Sequence, residues 1–112
     1  MSKREAKLLV SDILESVYKI LDYTPGQSFA AFIEDSKTVD AVIRNFEIIG
    51  ETANRLPEEF KDQFTEIHWQ RIHEFINRIV HDYFGIGNSI FRTVKETFLQ
   101  LMIAQLQPLS ET

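Results

Sequence analysis

The chain has 112 residues, of which 44% are hydrophobic and 26% charged, with no cysteine and a formal net charge of −5. That length suits one domain around one core, spanning residues 1–112, and the composition excludes a disordered chain. Disulfides and thiolate zinc sites are excluded, no apolar run has the length of a membrane span, and any nucleic-acid contact must come from a local basic patch. The N-terminus, Met-Ser-Lys-Arg-Glu-Ala-Lys, leads into an amphipathic pattern without the apolar core and small-residue cleavage site of a signal peptide, so the cytoplasm is the expected compartment.

The first element opens on Ser2 and Glu5, a capping-box pair, and runs to about Asp22. Leu9, Ile13, Val17 and Ile20 form its buried stripe, and Pro25-Gly26 ends it. A short helix is expected over Phe29 to Glu34. Ser36 then caps a second long helix from about Lys37 to Leu56, ended by Pro57. Its main face carries Val39, Val42, Ile43, Phe46, Ile49 and Ala53, with Gly50 among them. A glycine inside a helix costs roughly 1 kcal/mol relative to alanine, and close helix packing is the expected reason for it. Ala41, Ile48 and Thr52 form a weaker second stripe, so this helix is expected to be covered on two sides. A helical turn follows over Glu58 to Gln63.

The third long helix is expected from about His68 to Tyr83, broken by Gly85 and Gly87. Asn88 is placed as the cap of the last helix, which runs to about Gln107 and stops before Pro108. Ile90, Phe91, Val94, Phe98, Leu99, Leu101, Met102, Ile103 and Leu106 leave that helix only a narrow polar strip. Such breadth implies burial on more than one side, and a homodimer using the second and last helices is inferred. Period-two alternation and hairpin signals are absent. The expected class is all-α: a bundle of four long helices with short helical turns.

On the third long helix, Trp69, Ile72, Phe75, Ile76, Ile79, Val80 and Tyr83 share one face, and Trp69 reads as core. Glu74, Asn77, Arg78 and His81 share the other at i, i+3, i+4 and i+7. An imidazole moves protons near neutral pH, and a guanidinium holds a phosphate that is gaining negative charge. Metal-free RNA cleavage needs both functions: the 2′-hydroxyl loses a proton, the leaving 5′-oxygen gains one, and the pentacovalent phosphate is held. His81, Arg78 and Asn77 are therefore the candidate catalytic residues. By spacing alone, such a stripe is more often a solvated helix face. Residues 68–81 also hold His68, His73 and Arg71, with Arg92 and Lys95 beyond. The three histidines do not share one face and no carboxylate pattern completes a ligand set, so neither a metal nor a cofactor is expected. Glu51, Arg71 and His73 are candidate cleft residues.

The segment RIVHDYFGI, preceded by IHWQRIHEFIN, resembles the HEPN family and, within it, the HepT-like ribonuclease toxins. Their signature is an arginine, four to six variable residues, then His-x-Tyr, and the second half stands here as His81-Asp82-Tyr83. The stretch TVDAVIRNFEIIGETANRLPEEF, with Ile48-Ile49-Gly50-Glu51, is similar to the family's second long helix. The resemblance covers about residues 4 to 106. It implies an all-α bundle, a homodimer with a cleft between protomers, and metal-independent endoribonuclease activity on RNA, with transfer RNA one candidate. It further implies a partner, a minimal nucleotidyltransferase antitoxin that attaches AMP to the motif tyrosine, Tyr83. Bulky anionic nucleotides there would block RNA by sterics and like-charge repulsion. Without the resemblance, Tyr83 reads as a ring packed at a helix end.

The sequence departs from the signature at one position: Ile76 stands where the arginine five residues before the histidine belongs, while Asn77 matches. Neither Arg78 nor Arg71 fits the spacing. Three readings follow: a toxin that cleaves RNA through His81; a catalytically impaired HEPN module that binds the nucleotidyltransferase or a nucleotide; and a plain helical dimerisation domain. DNA and membranes are not expected partners.

Overall fold

The computed structural model describes residues 2–111; Met1 and Thr112, included in the expected domain, lie outside the described residues. Every regular element among the described residues is helical, with no strand, as the patterning requires. No described helix is long and apolar enough to cross a membrane.

Helix α1 (Lys3–Tyr23) starts at the expected capping box. Ser2 Oγ accepts from the Glu5 N–H at 3.1 Å, and Glu5 Oε2 accepts from the Ser2 N–H at 3.4 Å. Leu9, Ile13, Val17 and Ile20 are all buried, so the predicted stripe is the real one. Thr24 closes the helix by donating its hydroxyl to the Ile20 carbonyl at 2.8 Å, before the turn at Pro25-Gly26, where Gly26 has φ +69°. Helix α2 (Phe29–Glu34) has the expected bounds and is capped by Ser28.

Helix α3 (Ser36–Arg55) begins one residue earlier than expected. Asp35, not Ser36, is its cap: the carboxylate accepts from the Thr38 N–H at 3.3 Å and from the Thr38 hydroxyl at 2.6 Å. Both residue types cap well, but aspartate offers two acceptor oxygens and a charge that suits the positive helix end. Helix α4 (Glu58–Lys61) is a single turn, shorter than the expected run to Gln63. Helix α5 (Trp69–His81) is also shorter than expected, with His68 and Asp82 as its caps and Tyr83–Gly85 forming a separate 3-10 turn.

Two expectations for the last helix are corrected. Helix α6 (Gly87–Thr93) starts with Gly87 at φ +75° and Ile86 as its cap residue, so Asn88 lies inside the first turn and caps nothing. A π-turn, Val94–Phe98, joins α6 to α7 (Leu99–Glu111), and this helix continues through Pro108. Proline in a helix costs about 3 kcal/mol through a lost hydrogen bond and a ring clash, and burying Leu109 beyond it, worth about 1.5–3 kcal/mol, offsets much of that. The side chain of Lys95, within the π-turn, donates to the carbonyls of Thr24 and Gln27 and so ties the last helix to the α1–α2 turn.

Helix α1 packs against α3 and α7, α3 also carries α5, and α2 bridges α3 and α6. The double stripe on α3 thus has its physical meaning: α1 and α5 cover it from two directions. Val10, Val17, Phe46, Ile49, Leu99 and Leu106 sit at the centre of the core. The second stripe includes a residue the sequence reading did not place inside. Asn45 is 6% exposed and donates to the Ala41 carbonyl at 2.8 Å. The body measures 42 × 21 × 20 Å, about two helix diameters across, so no long helix is enclosed on all sides.

Gly50 faces α5, but close packing does not demand it. A Cβ there would meet only Ile76 Cγ2, at 3.6 Å, an ordinary contact. Gly50→Ala should therefore raise unfolding free energy by about 0.5–1 kcal/mol, read from urea denaturation; a loss of stability would show that the added methyl crowds Ile76. Hydrogen bonds from the Thr38 hydroxyl and backbone hold the Asp35 carboxyl below the usual carboxylate range. A carboxyl depressed in the folded state contributes stability above its unfolded pKa that is lost as pH falls through the folded value. Asp35→Asn keeps a cap but cannot titrate, so its denaturation midpoint should fall less on acidification than the parent's; equal falls would overturn this assignment.

Candidate functional site

Helix α5 separates its faces sharply. Ile76 and Ile79 are buried, Ile72, Phe75 and Val80 are half-buried, and Glu74, Asn77, Arg78 and His81 are exposed. Gln70 donates to Glu74 at 3.3 Å along the wet side. Arg78 and His81 fall in the last turn, where cations suit the negative helix end. The chain then bends: Asp82 leaves helical geometry at φ −144°, and the Gly85 N–H donates to the Asp82 carbonyl at 3.0 Å.

Where α5 lies against α3, a groove of about 240 Å³ runs between them. Helix α5 contributes His73, Ile76, Asn77, Val80 and His81; α3 contributes Phe46, Glu47, Gly50, Glu51 and Asn54. The expected site residues His81, Asn77, His73 and Glu51 therefore come together. Ile76, 3% exposed, packs beside Gly50 in the groove as an apolar surface.

Three expected site residues lie elsewhere. Arg78 is exposed one turn before His81 but does not line the groove. Arg71 lines a separate and wider groove at the start of α5. Tyr83 is half-buried in the 3-10 turn, with its ring 4.3 Å from that of Phe84 between centroids. It borders an apolar recess with Val42, Phe46, Ile79, Ile86 and Phe91, not the groove that holds His81. Trp69, expected in the core, is half-buried against it and lines the wider groove; its indole N–H is buried with no acceptor among the described residues.

The structure adds groove residues that the sequence reading passed over: Glu47, Asn54 and, at the rim, Arg44. The Arg44 guanidinium stands 3.9 Å from both Glu47 and Glu51. Their spacing at i, i+3 and i+7 on one helix was the available signal. Glu51, read as a solvated or cleft carboxylate, is thus also an ion-pair partner. Among the described residues no cluster of three or more histidines or carboxylates could hold a metal ion. The groove accordingly offers two imidazoles, two amides and two carboxylates, with guanidinium groups at its margin.

The sequence profile described as "HepT-like: Ribonuclease HepT-like" matches residues 13–109. Among similar proteins is "Putative RNase MJ0127" of Methanocaldococcus jannaschii, 37% identical over 90 residues, which span 80% of this chain and 74% of that protein. Another is "Probable ribonuclease HepT" of Thermococcus cleftensis, 38% identical over 95 residues, spanning 84% of this chain and 86% of that protein. A third, "Putative RNase MJ1380" of M. jannaschii, is 35% identical over 97 residues, 86% of this chain and 89% of its own length. No solved structure matches the chain. The all-α bundle, the His81-x-Tyr83 motif at the end of α5 and the match over residues 13–109 agree: the chain belongs to the HepT-like ribonuclease family.

Proposed function

We propose that the chain is a metal-independent endoribonuclease, the toxin of a type VII-like toxin–antitoxin pair, acting as a cytoplasmic homodimer. The observation that carries this reading is the meeting of His81, Asn77 and His73 in one groove of a HepT-like ribonuclease family member. The His81 imidazole takes the proton of the 2′-hydroxyl. The 2′-oxygen forms its bond to phosphorus, the bond from phosphorus to the 5′-oxygen breaks, and that oxygen takes a proton from water, whose hydroxide is neutralised by the proton held on the His81 imidazolium. The products are a 2′,3′-cyclic phosphate and a 5′-hydroxyl end. Asn77 donates to phosphate oxygens from the same helix face. The cation for the crowded phosphate is Arg78, or a basic residue of a second copy that completes the cleft. Breadth of apolar surface on the last helix supports that second copy: Leu101 is 52% exposed on a helix whose other face is core.

Tyr83 is the proposed site of AMP attachment by a minimal nucleotidyltransferase antitoxin. Its support is the family motif together with a hydroxyl that makes no hydrogen bond among the described residues, at a turn beside exposed Phe84. The tyrosine oxygen attacks the α-phosphate of ATP, pyrophosphate leaves, and the phenolic proton is released.

A second reading has a specific observation in its favour. Ile76 occupies the signature arginine's position, and it is buried beside Gly50. Without that guanidinium a few kcal/mol of transition-state stabilisation are absent, which would leave a HEPN module that binds its partner or a nucleotide but cleaves weakly.

RNA incubated in chelator should yield cyclic-phosphate ends slowly with the parent chain and none with His81→Ala. Undiminished cleavage by a well-folded His81→Ala, checked by circular dichroism, sinks the catalytic reading in favour of the binding module. Ile76→Arg should raise the rate while losing several kcal/mol of stability, since its charge enters a buried position.

Incubation with the cognate nucleotidyltransferase and ATP should add AMP increments to the intact mass, absent in Tyr83→Phe. Increments that persist in that variant would assign the modification to another residue.

A further inference from the structure

We propose that the wider groove at the start of α5 is a second RNA subsite, holding single-stranded nucleotides that flank the bond presented to His81. The proposal rests on the ribonuclease reading and extends it to a stretch of surface that the family motif does not reach.

The groove has a volume of about 590 Å³. Asn54 and His73 line both this groove and the one that holds His81, so the two are continuous along α5. From Trp69 to His81 the helix advances about 18 Å at 1.5 Å per residue. At roughly 3.4 Å per stacked nucleotide, that path matches about five nucleotides.

Its chemistry suits a single strand. Lys61, His68, Arg71 and His73 line it, against the carboxylates of Glu58 and Asp62. Lys61 is committed to Glu58 at 3.8 Å, whereas Arg71 is exposed and has no ion pair among the described residues. A free guanidinium offers a planar fork of donors that fits phosphate oxygens. Trp69 adds an aromatic surface, on which bases of any sequence can stack. The chain as a whole repels polyanions at net charge −5, so binding must depend on such local cations. A duplex presents its bases edge-on and stacked, which leaves the tryptophan no base to receive; a single strand does not have that restriction.

The test uses the full chain with His81→Ala, so that RNA is not consumed, and fluorescence anisotropy with fluorescein-labelled single-stranded RNAs: a dinucleotide and an oligomer of roughly eight nucleotides. The oligomer should bind more tightly than the dinucleotide. Adding Arg71→Glu should weaken oligomer binding about tenfold, leave the dinucleotide unchanged, and reduce the slope of log affinity against log salt by about 0.7 per lost phosphate contact. Arg71→Gln should show a smaller loss in the same direction. Oligomer affinity indifferent to both Arg71 variants, or an equal loss for the two RNAs, overturns the subsite. The ribonuclease reading is tested separately, by cleavage in the chain with His81 intact. Arg71-dependent binding without cleavage would retain the subsite and remove catalysis. Cleavage that requires His81 but ignores Arg71, on the oligomer as on the dinucleotide, would remove the subsite alone.

Discussion

The seam between α3 and α5 is the constraint on which the rest of the site depends. Helix α5 commits only Ile76 and Ile79 fully to the core, and its Phe75 ring meets Phe98 of the π-turn edge-on at 4.7 Å. With so narrow an apolar edge the helix leans on α3 without being enveloped. Its rotation is nevertheless fixed, because turning it would bring Asn77 or Arg78 into the seam and expose isoleucine. Successive residues are set about 100° apart, so an inward Ile76 forces Asn77 and His81 toward the open side. The groove is the space left where two cylinders touch along one line.

That same seam explains why the departure at Ile76 has consequences beyond a missing charge. An isoleucine there contributes to the α3–α5 contact; a guanidinium in its place would have to reach past Gly50 to a partner or to water. The nearest cation that α3 brings to the rim, Arg44, is shared between Glu47 and Glu51, so its charge is already answered by two carboxylates. The groove near His81 is consequently poorer in available positive charge than the region around Arg71. A polyanion bound along α5 would meet its least compensated cations on either side of the groove's centre, at Arg71 and Arg78.

The last helix shows a different balance. Its apolar breadth serves the core through Phe91, Val94, Leu99, Met102, Leu106 and Leu109, while Leu101 remains in solvent. The π-turn at Val94–Phe98 lets Lys95 reach the carbonyls that end α1 and the following turn. The Thr24 carbonyl already accepts from the Gln27 N–H at 3.3 Å, and a lysine from a distant part of the chain adds a donor to it and to the Gln27 carbonyl. The C-terminal end of α1 and the π-turn are thereby held together by one side chain.

The residue pattern alone specifies the all-α class, the bounds of α2, the capping box of α1, and the division of α5 into apolar and polar faces. Each follows from local rules: a 3.6-residue period, hydroxyls and carboxylates at helix starts, and proline or glycine at ends. It also contained the His81-x-Tyr83 motif in full. Where two neighbours satisfied the same local rule, as Asp35 and Ser36 do, it could not choose between them. That Pro108 stays helical depends on tertiary packing, since the burial of Leu109 in the core offsets much of the proline's cost of about 3 kcal/mol. Only the packing of α3 on α5 brought Glu51 and Asn54 to His73 and His81. Periodicity assigns a side chain to a face of its own helix; which other helix lies opposite depends on contacts between residues far apart in the chain, and no local period encodes those.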